Sequence, residues 1–296
     1  ERGYLSACAV NGKVYAIGGI APGRILSIVE EYDPAKDKWT KKADMPTARF
    51  DLATSAVKGK IYAIGGFNRG PLPTVEEYDP VTDKWTRKAD MPTPRGYHST
   101  SVAKGKIYAI GGCNGTEYSA VEEYDPEKDV WTKRKSMPTA RAALSTSAVN
   151  GKIYAIGGES GTIATSIVEE YDPEADTWTK KTNMPTARNT FTATAVNGKI
   201  FAIGGRFGVA LADGFTTVEE YDPATDTWTK KADMPKWRLE IGSDAVDGKI
   251  YVIGGWNEDG PLSAVEEYDT GFKGQSVERT GKLPTTWGKV RGIINN

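Results

Sequence analysis

The sequence predicts an all-β chain closed into a six-bladed β-propeller, with four antiparallel strands in each blade. Three observations predict it. First, a Gly-Gly pair recurs at Gly18-Gly19, Gly65-Gly66, Gly111-Gly112, Gly157-Gly158, Gly204-Gly205 and Gly254-Gly255, a period of 46 to 50 residues. Second, fixed landmarks follow each pair. A tyrosine comes first (Tyr32, Tyr78, Tyr124, Tyr171, Tyr221, Tyr268), then in five units a tryptophan (Trp39, Trp85, Trp131, Trp178, Trp228) and Met-Pro. An arginine opens each unit: Arg2, Arg49, Arg95, Arg141, Arg188 and Arg238. Third, every unit carries the marks of short strands and tight turns, and nothing reads as a helix.

The fourth unit shows each element in turn. Residues 144–149 alternate small and apolar side chains, as a first strand does. Asn150-Gly151 follows, a two-residue hairpin turn whose positive φ angles suit Asn and Gly. Residues 152–156, Lys-Ile-Tyr-Ala-Ile, form the second strand and run into Gly157-Gly158. The glycines are expected where a neighbouring aromatic crowds the backbone. After a variable loop, residues 168–171 give a third strand, Asp172-Pro173 starts a turn, and the fourth strand begins at Trp178. The tryptophans are expected to be buried between blades. The glutamates two residues before each tyrosine, from Glu30 to Glu266, are expected to pair with the repeat arginines.

The blades are drawn at 2–45, 46–91, 92–137, 138–184, 185–234 and 235–284, making 1–296 one domain. The sixth unit departs from the pattern, because no tryptophan follows Tyr268 at the usual spacing and Val277 takes its place. Residues 285–296 match no repeat. They are expected to pack as a tail that closes the ring, since terminal units of repeat proteins are commonly atypical.

Composition bounds the function. The 38 basic and 39 acidic residues leave a net charge of −1, without the basic excess of a nucleic-acid binder. No apolar run is long enough to span a bilayer. One histidine and two cysteines, Cys8 and Cys113 on non-adjacent blades, exclude a His-rich metal site and a disulfide framework. No cofactor or metal is expected. The chain is expected to be a soluble monomer, its compartment unassigned with a lean toward the outside of the cytoplasm.

Gly-Gly, Val-Glu-Glu-Tyr-Asp-Pro, Trp and Met-Pro-x-x-Arg together resemble the Kelch repeat, and the near-identical units resemble bacterial multi-Kelch proteins most. The resemblance covers residues 2 to 284 and implies the propeller fold. It does not imply one activity, since a fold of this kind hosts many. It admits a binding module for a protein, peptide or glycan. It also admits a small-molecule enzyme like the six-bladed Kelch-like sialic acid mutarotase, for which Glu240, Asp51, Arg238 and Tyr97 are the available groups. In the cullin-adaptor Kelch proteins the equivalent end of the ring holds acidic peptides; the location carries over, but only Arg206 matches an arginine slot.

The two ends of the ring carry different information. One has nearly uniform hairpin turns and reads as scaffold. The other has loops that differ in every blade, and loops on a rigid scaffold are where binding usually sits. The residues after each Gly-Gly are Ile20, Phe67, Cys113, Glu159, Arg206 and Trp256. Those two past each opening arginine are Tyr4, Asp51, Tyr97, Ala143, Thr190 and Glu240. Both sets are expected to converge at the channel mouth. From these, with residues of the same loops, the candidate binding set is Tyr4, Arg24, Asp51, Phe67, Arg69, Tyr97, His98, Cys113, Tyr118, Glu159, Arg206, Phe207, Glu240 and Trp256. His98 fills a slot that is apolar in the other blades, so a packed histidine is the plainer account. Asp244 is the one carboxylate in a ring of small residues (Cys8, Ser55, Ser101, Ser147, Thr194) near the axis. It needs hydrogen-bond partners there. The Asp-Pro-x-x-Asp-x-Trp turns are read as structural, because they lack the ligand series of a calcium loop.

Overall fold

A computed structural model describes residues 1–208, 214–272 and 286–290. All the regular structure in it is strand, and no helix is long and apolar enough to cross a membrane. Six four-stranded meanders follow one another along the chain. Blade 2 is typical: Ala53–Val57, Lys60–Ile64, Val75–Asp79 and Lys84–Lys88 pair in sequence order. The first strands of the blades neighbour one another around a closed circuit, with Ser6–Val10 of blade 1 against Gly242–Val246 of blade 6.

Each second strand's place between neighbouring blades explains its burial. Along Lys60–Ile64 every residue after the lysine is buried, as expected of a strand covered on both sides by neighbouring blades. The core is divided among the seams between blades. Tyr15 of blade 1 packs on Tyr78 of blade 2 with ring centroids 6.0 Å apart, together with Ile17, Met45, Leu52 and Ile61.

The tryptophans depart from expectation. Trp39 is buried, but Trp85, Trp131, Trp178 and Trp228 are only half-buried. They lie on the outer strands, each tilted against its own blade's tyrosine at about 5.0 Å. Their Nε1–H groups donate to carbonyls of the preceding link, for example Trp85 to Ala43 at 3.0 Å. An indole that needs a partner for its N–H sits where an amphipathic ring can reach one, at the rim. The fully buried ring is the tyrosine.

The glycine pairs are crowded by a backbone carbonyl in every blade, and only at Gly65 (His98) and Gly157 (Phe191) does a ring atom come equally close. A Cβ on Gly18 would sit 2.6 Å from the Arg49 carbonyl oxygen, and φ there is 65°. The arginines pair with the glutamates in all six blades, at 2.5–2.9 Å. Arg49 is wholly buried and also donates to the carbonyls of Ala63, Gly65 and Thr74. Arg238 is one of this set, locked to Glu266, so it is not available for chemistry. The Asp-x-Trp aspartates are structural as well. Asp83 accepts from the Tyr78 hydroxyl and from the Ala43 N–H of the previous blade.

The sixth blade corrects the sequence reading. Thr286–Val290 is its fourth strand, paired with Val265–Asp269, where a tail outside the repeats was expected. Trp287 stands opposite Tyr268 with rings 4.9 Å apart, and its Nε1–H donates to the Ala232 carbonyl. Trp287 is therefore the sixth rim tryptophan. More residues separate Tyr268 from Trp287 than separate tyrosine from tryptophan in the other units, so a count at fixed spacing lands on Val277. Val277 and residues 291–296 lie outside the described residues.

Candidate functional site

Six residues define the channel mouth: Tyr4, Asp51, Tyr97, Ala143, Thr190 and Glu240. Each has φ between 49° and 56°, the left-handed region that side chains larger than Asn rarely adopt. They are held there by one another. The N–H of Asp51 donates to the Tyr4 carbonyl, Tyr97 to Asp51, Ala143 to Tyr97, Thr190 to Ala143, Glu240 to Thr190 and Tyr4 to Glu240, all at 2.9–3.2 Å. The hydrogen bonds form a complete ring through all six blades. Each left-handed residue costs about 1–2 kcal/mol, and the circuit offsets that cost.

A second set surrounds the first. The residue after each Gly-Gly bridges to the residue after its own blade's opening arginine: Ile20 with Gly3, Phe67 with Phe50, Cys113 with Gly96, Glu159 with Ala142, Arg206 with Asn189 and Trp256 with Leu239. The aromatic members lie over glycines. A Cβ on Gly3 would fall 1.9 Å from the Trp256 ring, and one on Gly96 would fall 2.1 Å from Phe67. Glycine in those slots is what lets a large ring lie flat at the mouth.

The result is a mouth with two unlike sides. Trp256, Tyr4, Phe50, Phe67 and Tyr97 form a continuous arc of five rings, with successive centroids 5.8–6.2 Å apart. Opposite them lie polar groups of blades 4 to 6. Asn189 ties these together, accepting from Arg206 Nε at 3.4 Å and donating to Glu159 at 3.2 Å. Below the mouth the channel encloses about 370 Å³. Its wall is rich in hydroxyls that bond from blade to blade, such as Ser6 to Thr54 and Ser101 to Thr146, both at 2.8 Å.

The carboxyls of the channel are perturbed. Burial, with a contribution from nearby Glu159, lifts Glu240 from the ordinary 4.5 to about 8, although Arg206 pulls the other way. Burial and the charge of Glu240 raise Asp51 well above the usual range. Burial and the same two carboxyls push the Tyr97 phenol far up. Deeper, burial lifts Asp244 to about 6 against the hydrogen bonds it accepts from the N–H groups of Ala9 and Ala245. Its partners are thus backbone amides, and the Ala9 bond crosses from blade 6 to blade 1.

Of the fourteen candidates, Tyr4, Asp51, Phe67, Tyr97, Glu159, Arg206, Glu240 and Trp256 come together at the mouth. Cys113 stands beside them half-buried, its thiol pushed up to about 11 by burial and by Glu159, Asp51 and Glu117, which makes it a poor nucleophile at neutral pH. Five others stand elsewhere. His98 is buried in the channel wall, where burial and the charges of Arg95 and Arg49 keep it neutral. Arg24 and Arg69 are exposed and flank a shallow depression between the loops of blades 1 and 2, away from Arg206. Tyr118 is half-buried near Arg95, the core arginine of its blade. Phe207 projects from the rim, 54% exposed. Asn189 was not anticipated. Its signal was a polar side chain in a slot that holds Gly3, Phe50, Gly96, Ala142 and Leu239 in the other blades.

Residues 2–214 match the Attractin/LZTR1 beta-propeller family, and residues 238–273 match the Kelch motif. The chain belongs to the Kelch β-propeller family. Among solved structures, that of YjhT is similar, with a TM-score of 0.78 over 90% of this chain and 94% of that one. At 19% identity that likeness speaks to the Kelch fold alone. No curated protein sequence matches.

Proposed function

We propose that this Kelch propeller is a non-catalytic binding module that takes a protein, peptide or glycan partner at the channel mouth on the variable-loop end. The observation that carries this is the opposition of five aromatic rings to a set of charged groups around one opening. Tyr and Trp combine large contact area with low entropy cost, and they are enriched at interface hot spots. Among the described residues the opposite end offers nearly uniform turns, with exposed ion pairs such as Lys104 with Glu174. The cavity of about 370 Å³ is near the small end of ligand pockets, sized for a side chain or a single sugar ring. Screening the full chain against peptide and glycan arrays tests this. Trp256→Ala and Tyr97→Ala should each weaken any ligand found by more than about 1 kcal/mol, and Lys104→Ala should not. A ligand weakened only by Lys104→Ala would move the site to the other end.

A small-molecule sugar isomerase of the mutarotase kind is the alternative, favoured by the Asp51–Glu240 pair. Two carboxyls with raised affinity for protons in one mouth are what general acid–base chemistry requires. Anomer exchange measured by NMR on a panel of free sugars decides it. An enzyme would accelerate exchange, and Glu240→Gln would abolish that while leaving sugar binding intact.

A further inference from the structure

We propose that the mouth receives an organic ammonium group, a positively charged nitrogen carrying carbon substituents, held between the aromatic arc and the carboxylates of Asp51 and Glu240. This rests on the mouth being the binding site and names the chemistry of what enters it.

The balance of charge carries the inference. The described residues lining the channel cavity include three carboxyls, Asp51, Glu240 and Asp244, and no lysine or arginine, while at the rim of the mouth Glu159 and Arg206 add one charge of each sign. The single histidine on that wall is neutral. Arg206 faces the mouth from outside the lining, but Asn189 links it to Glu159, and Glu117 adds a further negative charge beside Glu159. Asp51 is 8% exposed, and its Oδ2 has no hydrogen-bond partner among the described residues. A buried carboxyl oxygen with no partner is costly, and a cationic guest relieves that cost. The anions that such a lining repels are a poor match for it.

The aromatic arc narrows the cation to an organic one. The negative face of an aromatic ring attracts an ammonium, and the attraction is strongest for a desolvated, alkylated nitrogen seated among several rings. Tyr4, Phe50, Phe67, Tyr97 and Trp256 supply such faces in a row beside the carboxyls. A hard metal ion gains little from those rings, and no group of three or more potential ligating side chains that could hold one occurs among the described residues. A neutral sugar could stack on the arc but gains no cation–π attraction from it. Burial raises the proton affinity of both Asp51 and Glu240, and a seated cation opposes that, so its binding is expected to expel protons.

The experiment uses the full chain, with choline, its uncharged carbon isostere 3,3-dimethylbutan-1-ol, and glucose as probes in calorimetry and tryptophan fluorescence. Choline should bind saturably and at least about tenfold more tightly than the isostere. Its apparent heat should change with the ionisation heat of the buffer, reporting proton release. Asp51→Asn and Glu240→Gln should each weaken choline by about tenfold, and Arg206→Ala should strengthen it. Should either carboxamide variant fail to fold in a thermal melt, the choline-to-isostere ratio in the wild-type chain decides alone. Equal binding of choline and the isostere, or no choline binding, overturns the inference. Glucose binding that Trp256→Ala abolishes, with choline inert, overturns the ammonium while leaving the mouth as the site. Binding of a partner that only opposite-end changes disturb would overturn both.

Discussion

Tyr78 and Trp85 face each other across adjacent strands of blade 2, yet they do different work. Tyr78 is wholly buried and meets Tyr15 of the previous blade, whereas Trp85 keeps one side in solvent. Tyr78→Ala should therefore cost about 3–5 kcal/mol, the range for deleting a core aromatic. Trp85→Ala should cost about 2 kcal/mol, from its partial burial and the lost hydrogen bond to Ala43. Denaturant melts of the two variants check the order, and a larger loss for Trp85 would put the tryptophan in the core after all. Glu240 makes a prediction about pH. Burial raises its affinity for protons, so the folded chain holds a proton that the unfolded chain releases above about pH 4.5. Stability from this group is then greatest at low pH and declines as pH rises from about 4.5 through about 8. Glu240→Gln removes that decline. The variant should gain on the order of 2 kcal/mol over wild type at pH 9 and little at pH 5, seen in melting temperatures across that range. A gap that does not widen with pH would mean that the ionised carboxylate is not penalised.

At the scale of the blade, the arginine is the organising side chain. Arg141 donates to the carbonyls of Ala155, Gly157 and Ile167 and to Glu169, so one planar fork joins three segments of blade 4. Arg141→Leu should cost about 3–5 kcal/mol, because Glu169 would be left buried without its counter-charge. The exposed pair of Lys104 and Glu174 should cost under about 1 kcal/mol when broken by Lys104→Ala. Chemical denaturation of both variants checks the contrast. The blade was legible because its landmarks repeat in register: the Arg–Glu pairs and the Gly-Gly kinks followed from spacing. The mouth was half legible. Divergence at two slots located it, since residues free to differ on a uniform scaffold stand out. What spacing could not give was distance across the ring. It placed Arg24 and Arg69 with Arg206, and it put Tyr118, Phe207 and His98 with the mouth, because a residue's slot fixes its height on the blade but not the direction of its side chain. Asn189 was missed for the same reason, its role lying in a contact between Arg206 and Glu159 on neighbouring blades.

At the scale of the molecule, the question is how a chain with two ends makes a ring. The seam between blade 6 and blade 1 carries no exchanged strand: every blade is built from its own stretch of chain. Residues 2–4 reach across instead. The Arg2 N–H donates to the Leu262 carbonyl, the Arg2 carbonyl accepts from Gly255, and Tyr4 completes the mouth circuit with Glu240. Asp244 adds its bond to the Ala9 N–H. Closure therefore depends on blade 6 keeping its shape, and its fourth strand comes from the far end of the chain. Deleting residues 286–296 would leave Val265–Asp269 as an unpaired edge and strip Trp287 from Tyr268. The loss of that tryptophan alone is about 2 kcal/mol, as for Trp85, from partial burial and the hydrogen bond to Ala232. At about 2–4 °C per kcal/mol for a chain of this size, the melting temperature should fall by at least roughly 4–8 °C. Hydrogen exchange should show the order of events. Protection should go first in Val265–Asp269, next in Gly242–Val246 and Ser6–Val10 at the seam, and last in blades 3 and 4 on the far side of the ring. If protection in Val265–Asp269 were unchanged by the deletion, Thr286–Val290 would not be holding the sixth blade. If all blades lost protection together, the ring would be a single cooperative unit rather than one that opens at its seam.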